Sequence, residues 1–424
     1  MTVQDSDAGA GAPAVALGTA TAEVPGWLVW SLVVALVYLL LVGVAVIGAG
    51  FQWVSGGAEG AAAIFAFARN PIVGVILGTL ATALVQSSST VTSVIVGLVA
   101  GGVPVAIAVP MIMGANMGTT ITNTIVSLGS FRERGVFRKS FEAATVHDFF
   151  NLYSIIVFLP VEVLFHPLER CGEILAGLFT GEGGASLTGV NVVSAATKPV
   201  ARLMAELLAP LGDPAGALLL ICAGIALIIF AVLYLGRLLR AVMTGKARRL
   251  VDAAIGRGPV TGIASGTLVT VLVQSSSTTT SLVVPLAGAG VLTTSQVYPF
   301  TLGANIGTCV TALLAATSIT GPNEFFALQI ALVHLLYNVF GVLLFMTLPL
   351  LRQLPVRSSE WLGGLVERNR AWAFGYVAAI FFLLPGVVFA IELLYLDREP
   401  VQICAADDLR CLAEEAERVD MRIE

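Results

Sequence analysis

The chain has 424 residues, 57% of them apolar and 12% charged, with a net charge of −5 and a mean hydropathy of +0.92. Soluble domains carry about 25% charged residues, so the composition excludes an ordinary water-soluble globule, and nothing in its balance calls for nucleic acid as a partner. Several apolar runs reach the ~20 residues that cross a bilayer as a helix, which makes this an all-α polytopic membrane protein.

In chain order, residues 1–25 hold three acids and no basic residue. They read as a disordered leader ahead of an uncleaved first span, since a signal peptide needs a positive start. The first span covers Gly26–Gly48. The apolar stretch 71–128 is too long for one helix and has the wrong parity for two crossings. It reads as a re-entrant helical hairpin, 71–102, followed by an interrupted span, 104–128, broken at the GAN-x-GT motif. A span at 141–166 completes a first repeat, 26–168, and 169–213 reads as an external connecting loop. The second repeat, 214–350, runs through a span at 214–236, a hairpin at 259–291 and an interrupted span at 294–317. A cytoplasmic basic loop (351–370), an extra transmembrane helix (371–396) and a charged tail (397–424) close the chain. Five cysteines, Cys171, Cys222, Cys309, Cys404 and Cys411, lack zinc-ligand spacing; Cys222 and Cys309 read as small hydrophobes, and whether the tail pair Cys404 and Cys411 forms a disulfide stays open.

The repeat is written in the letters. "RNPIVGVILGTLATALVQSSS" (Arg69–Ser89) and "RGPVTGIASGTLVTVLVQSSS" (Arg257–Ser277) align without gaps at an offset of 188, with 13 of 21 positions identical. "GANMGTTITNTI" from Gly114 matches "GANIGTCVTALL" from Gly303, and "HDFFN" (His147–Asn151) sits opposite "HLLYN" (His334–Asn338). Corresponding loops differ in charge: the loop after 236 and the loop Phe131–Lys139 are basic, whereas their partners are not. By the positive-inside rule both basic loops are cytoplasmic. Equivalent loops then fall on opposite sides, an inverted-topology repeat of the kind secondary transporters use. The N-terminus is expected in the cytoplasm and the C-terminus outside.

The two QSSS runs carry the chemistry. A single serine in a membrane helix bonds back to its own turn or glues helices together. Five consecutive polar side chains, Gln86 to Thr90, point all round a helix, and unmet polar groups in hydrocarbon cost several kcal/mol each. The runs must line a cavity or sit at a hairpin tip. The windows 71–128 and 259–317 contain no Asp, Glu, Lys or Arg. A site there has hydroxyls, amides and backbone dipoles only. Helix N-termini suit an anion, and hydroxyl and amide oxygens suit a small hard cation such as Na⁺. An anion held without a protein cation is badly desolvated unless co-bound cations neutralise it. The physics points to a cation-coupled anion symporter and leaves the anion unnamed.

"ALVQSSSTVTS", "PMIMGANMGTTITNTIV", "TVHDFFN", "VLVQSSSTTTS" and "YPFTLGANIGT" resemble the type II sodium–phosphate cotransporters, from about Gly26 to Ile391 and in both copies. The resemblance implies Na⁺-driven symport of inorganic phosphate across the cell membrane by alternating access, with no enzyme activity and no cofactor beyond the transported Na⁺. It implies a phosphate cradle of Gln86, Ser87, Ser88, Ser89, Gln274, Ser275, Ser276 and Ser277, with further contacts at Thr119 and Thr308. It assigns sodium to Asn116, Asn151, Asn305, Thr308 and Thr311, with Glu133 and Ser130 as inexact matches to the family's acidic and amide partners. Asp148, whose mate in the second copy is Leu335, takes an additional sodium and makes transport electrogenic. His147 and His334 come without a catalytic constellation and read as packing residues. Ala304 stands where relatives have a serine, and the chain lacks the long glycosylated external loop of animal members, which marks it as a short prokaryotic-type, inner-membrane form. A carrier of another oxyanion or a dicarboxylate is the alternative. Stoichiometry, phosphate protonation state, affinity, resting conformation and oligomeric state, a dimer included, are not legible.

Overall fold

The computed structural model describes residues 25–180, 191–254, 257–319 and 323–396. The leader, residues 181–190 and the tail with Cys404 and Cys411 lie outside the described residues.

The described residues form helices joined by short turns. The first copy comprises α1 (Gly26–Ser55), α2 (Ala58–Ile64), α3 (Pro71–Val85), α4 (Ser88–Ala100), α5 (Val105–Thr119), α6 (Ile121–Ser127) and α7 (Arg134–Phe165). Two amphipathic helices follow, α8 (Pro167–Thr180) and α9 (Asn191–Leu208). The second copy comprises α10 (Ala215–Ala254), α11 (Pro259–Val273), α12 (Ser276–Ser281), α13 (Val283–Gly288), α14 (Thr294–Ala316) and α15 (Glu324–Thr347). Then come α16 (Pro349–Arg368), α17 (Ala371–Ala378) and α18 (Leu384–Leu396), the last two joined by a π turn. Among the described residues, seven helices are long and apolar enough to cross a membrane.

Local signals set the helix ends. Asn70 caps α3, its Oδ1 accepting from the Ile72 N–H at 3.0 Å, and Pro71 follows at the first helical position. Thr293 and Gln296 form a reciprocal capping box at the start of α14.

Small residues set the packing. α1 and α10 run antiparallel: Gly43 lies against Gly224 and Ile228, and Gly50 against Ala217 and Ile221. Such stripes let helix backbones approach where lipid supplies no hydrophobic drive. The same device recurs in both copies. Gly78 of α3 and Gly114 of α5 interlock, with a Cβ at Gly78 falling 2.0 Å from the Met111 carbonyl oxygen. Gly266 of α11 and Gly303 of α14 repeat it, at 2.0 Å from the Phe300 carbonyl oxygen. Thr79 donates to the Gly114 carbonyl at 3.2 Å, and Thr267 to the Gly303 carbonyl at 3.0 Å. The copies also exchange partners, since α7 packs against α16 and α15 against α8. Arg138 of α7 holds its own Glu142 and Glu367 of α16, at 2.7 and 2.8 Å.

Three expectations need correction. The GAN residues form no turn: Gly114–Asn116 and Gly303–Asn305 lie inside helices, the first copy breaking only at Thr120 and α14 running unbroken. The glycines there serve close approach rather than a break. In the segments 169–213 and 351–370, expected as loops, the described residues are largely helical, as α8, α9 and α16. The span expected at 141–166 begins earlier, at Arg134.

Candidate functional site

Each QSSS run is a helix–turn–helix tip. α3 stops at Gln86, which takes a left-handed conformation (φ 58°) with its N–H bonded to the Thr82 carbonyl. Gln274 does the same (φ 54°) against Thr270. Side chains with a Cβ visit this region at a cost of about 1–2 kcal/mol, so the tip is held by other contacts. The Gln86 amide nitrogen donates to Ala83 O, and its Oε1 accepts from Thr122 Oγ1 at 2.8 Å. The Gln274 amide donates to Val271 O at 2.7 Å, and its Oε1 accepts from Thr311 Oγ1 at 3.0 Å. Thr122 and Thr311 are equivalent in the repeat, and each clips its own tip to the neighbouring helix.

Beyond each glutamine a serine begins the next helix. Ser87 Oγ accepts from the Thr90 N–H at 3.3 Å, and Ser275 Oγ from the Thr278 N–H at 3.2 Å. The second arm is helical through Leu282 (φ −68°, ψ −33°), so α12 continues into α13. Both arms thus begin with capped N-termini whose dipoles carry about half a positive charge.

The two tips share one cavity of about 480 Å³, lined by Gln86, Ser87, Ser88 and Ser89 from one copy and Gln274, Ser275, Ser276 and Ser277 from the other. All eight predicted cradle residues are therefore together. Further lining residues were not read from the sequence: Thr122 and Val126 of α6, Thr278, Ser281 and Leu282 of the second tip's arm, and Val232, Leu233, Gly236 and Arg240 of α10. Thr122 had a signal, its register with Thr311. The α10 residues had none, because an apolar wall and a lipid-facing stripe share one composition.

Thr119 and Thr308, expected as further phosphate contacts, do not line this cavity; both are buried and bond back to the carbonyls of Ala115 and Ala304, at 3.0 and 2.9 Å. Between the copies runs a chain of amides. His147 Nε2 meets Asn305 Oδ1 at 2.7 Å, Asn305 donates to Asn151 Oδ1 at 2.8 Å, and Asn151 donates to the Asn116 carbonyl at 2.9 Å. Asn116, Asn151 and Asn305 are thus brought together. The structure does not bring Ser130 and Glu133 to them. Glu133 is the exposed N-cap of α7, and Asn151 lies 18 residues further along that unbroken helix, about 27 Å at 1.5 Å per residue. Ser130 precedes the helix and meets Ser140, at 3.4 Å.

Asp148 is fully buried. Its Oδ2 accepts from Thr124 Oγ1 at 3.3 Å and from the Tyr376 hydroxyl at 3.0 Å, while Oδ1 has no protein partner. Tyr376 belongs to α17, outside both repeats, and its ring packs on Phe141, Phe149 and Phe381. Position alone did not mark it, because the extra helix reads as a plain span. The copies also meet where Thr280 donates to Asn123 Oδ1 at 2.6 Å.

The Na+/Pi-cotransporter family model matches residues 39–181 and 227–355, one segment in each copy. The chain is 32% identical to human sodium-dependent phosphate transport protein 2B over 411 residues, covering 76% of this chain and 59% of that protein. It is 32% identical to the rat protein 2A over 448 residues, covering 89% and 69%. The sheep protein 2A is also 32% identical, over 85% of this chain and 67% of its own length. The chain thus spans less than two thirds of the human 2B protein. No solved structure gives a significant match. The matches cover both repeats and the cavity between them, and this chain belongs to the Na⁺/Pi-cotransporter family.

Proposed function

We propose that the chain imports inorganic phosphate with Na⁺ by alternating access between two inverted repeats. The observation that carries the reading is the single cavity shared by both QSSS tips. Phosphate would be held there by serine hydroxyls and by the N-terminal N–H groups of α4 and α12, which supply positive potential without a cation in either window. The glutamines position rather than grip, because their carboxamides are already bonded to Ala83 and Thr122, and to Val271 and Thr311.

Na⁺ supplies the missing countercharge. Asn116, Asn151 and Asn305 offer one set of oxygen donors between the copies, with Thr308 and Thr311 beside them on α14. Asp148, with one bare carboxylate oxygen, offers the second, and a Na⁺ there makes the cycle electrogenic. α3–α4 and α11–α13 act as re-entrant hairpins entering from opposite faces. The basic C-terminal half of α10, from Arg237 onward, faces the cytoplasm, and the phosphate cavity reaches Arg240 in that half, so this conformation opens inward. The relatives' names, sodium-dependent phosphate transport proteins, agree with this substrate pair.

Labelled phosphate uptake into proteoliposomes tests the reading. Uptake driven by an imposed Na⁺ gradient and absent with choline, blocked by unlabelled phosphate and arsenate and not by sulfate or succinate, is the expected result. Block by succinate or sulfate instead would assign the site to a dicarboxylate or another oxyanion.

A further inference from the structure

A second cavity, of about 260 Å³, lies away from the QSSS tips. α4 connects the two: it begins at Ser88 in the first cavity and ends at Ala100 in the second. Twelve steps of 1.5 Å place them about 18 Å apart along that helix. The antiparallel α1–α10 pair gives the same order. The second cavity takes Ala45 to Gln52 of α1, the level of Ala217 to Gly224, whereas the first takes Val232 to Arg240, further along α10.

Its walls come from matching faces. α1 contributes residues 45, 48, 49 and 52, and α9 contributes 198, 201, 202 and 205, both at the i, i+3, i+4, i+7 spacing of one helix stripe. Most of these are Ala or Gly, which leaves room between the helices. Two are Lys198 and Arg202, one turn apart on the side of α9 that buries Ala201. Both cations are exposed, as is Gln52 across from them on α1, so the cavity is open to its surroundings on this side. No carboxylate lines the cavity. The ion pairs among the described residues are Arg138 with Glu142 and Glu367, and His166 with Glu169. Lys198 and Arg202 take part in none of them. Gln52 and Ser318 add neutral polar groups.

We propose that this cavity is a receiving site for a phosphate oxyanion on the face opposite the Arg240 mouth, held by Lys198 and Arg202. Its chemistry differs from that of the QSSS cavity, whose lining holds one cation, Arg240, outside the two QSSS windows. The cradle carries no cation in its own windows and relies on Na⁺, whereas this site offers fixed positive charge in an aqueous recess, where an anion binds weakly and leaves readily. Such a recess raises the local anion concentration ahead of the gate. The assignment of free phosphate rests on the transport reading above. The same chemistry would also fit the phosphate of an anionic lipid headgroup, and the test separates the two.

The test uses the full chain in neutral detergent, with Gln52→Cys as reporter and Cys171, Cys222, Cys404 and Cys411 replaced by Ser. Labelling rates are compared for an anionic and a cationic methanethiosulfonate, each normalised to a free thiol. The expected result is a preference of about tenfold for the anionic reagent, erased by Lys198→Gln with Arg202→Gln, and slowed labelling in millimolar inorganic phosphate. Equal rates, or labelling indifferent to phosphate, would overturn the site. Protection by phosphatidylglycerol but not by inorganic phosphate would overturn the free-phosphate assignment in favour of lipid. In proteoliposomes the same double variant is expected to raise the KM for phosphate about fivefold with uptake at saturating phosphate unchanged, and an unchanged KM would overturn the role in transport. Phosphate protection in a protein without Na⁺-dependent uptake would overturn the transport reading alone, and normal uptake without protection would overturn this site alone.

Discussion

Gly78→Ala is the perturbation whose consequence is read most directly from the coordinates. An added Cβ would lie 2.0 Å from the Met111 carbonyl oxygen and 2.8 Å from the Ala115 nitrogen, both backbone atoms of α5. Ordinary contact begins at 3.4 Å, so α3 and α5 must separate by about 1.4 Å, with no flexible side chain to yield instead. Overpacking of this kind costs about 1–3 kcal/mol. The displacement matters more than the energy, because Gln86 and Ser87 lie only two turns further along α3 and move with it. A misplacement of about 1 Å in a positioning element can cost about 10²-fold in rate. Na⁺-driven phosphate uptake is therefore expected to fall by about 10²-fold, with a lowered melting temperature in detergent. Gly266→Ala, 2.0 Å from the Phe300 carbonyl oxygen, is expected to match it in the second copy. Gly177→Ala, with nothing within 4 Å, is the control. Near-normal uptake by Gly78→Ala would refute the reasoning that helix contact sets the tip.

Asp148→Gly is expected to abolish the transport current while Na⁺-dependent uptake continues, with one Na⁺ fewer per phosphate by paired isotope fluxes; a persisting current would remove Asp148 from charge transfer. Tyr376→Phe deletes a hydrogen bond to that carboxylate, worth about 1.5–3 kcal/mol when the acceptor is charged, and is expected to raise the half-saturating Na⁺ by at least tenfold with phosphate KM at saturating Na⁺ little changed. Thr122→Val, alone and with Thr311→Val, unclips the tip glutamines; at about 1.5 kcal/mol per lost bond the single variant is expected to slow uptake about tenfold and the double about a hundredfold, and a rate equal to wild type would make the clips decorative.

The tips were legible because a polar run inside apolar sequence is costly unless it faces water, and because the run occurs twice. Symmetry then located their partners across the chain, which no periodicity could do. The GAN motif misled for a physical reason: glycine next to asparagine reads as a helix break, yet Gly114 is there because the Val75 carbonyl passes where its Cβ would be. α16 was missed as a helix because its charged residues break the hydropathy signal, whereas Arg138 and Glu367 use that charge to dock it on α7. Glu133 matches the family's acidic partner by alignment alone, and the length of α7 separates it from Asn151. Tyr376, Arg240 and the wall of α10 stayed hidden because composition cannot tell a side facing lipid from one facing a cavity.

The claim on which the account rests is that Ser88 and Ser276, from different copies, serve one phosphate. Labelled uptake under a Na⁺ gradient, measured for Ser88→Ala, Ser276→Ala and the double variant, tests it most directly. A shared site predicts strong coupling, with either single loss nearly as severe as the double. Losses that simply multiply, or uptake that continues when choline replaces Na⁺, would contradict it.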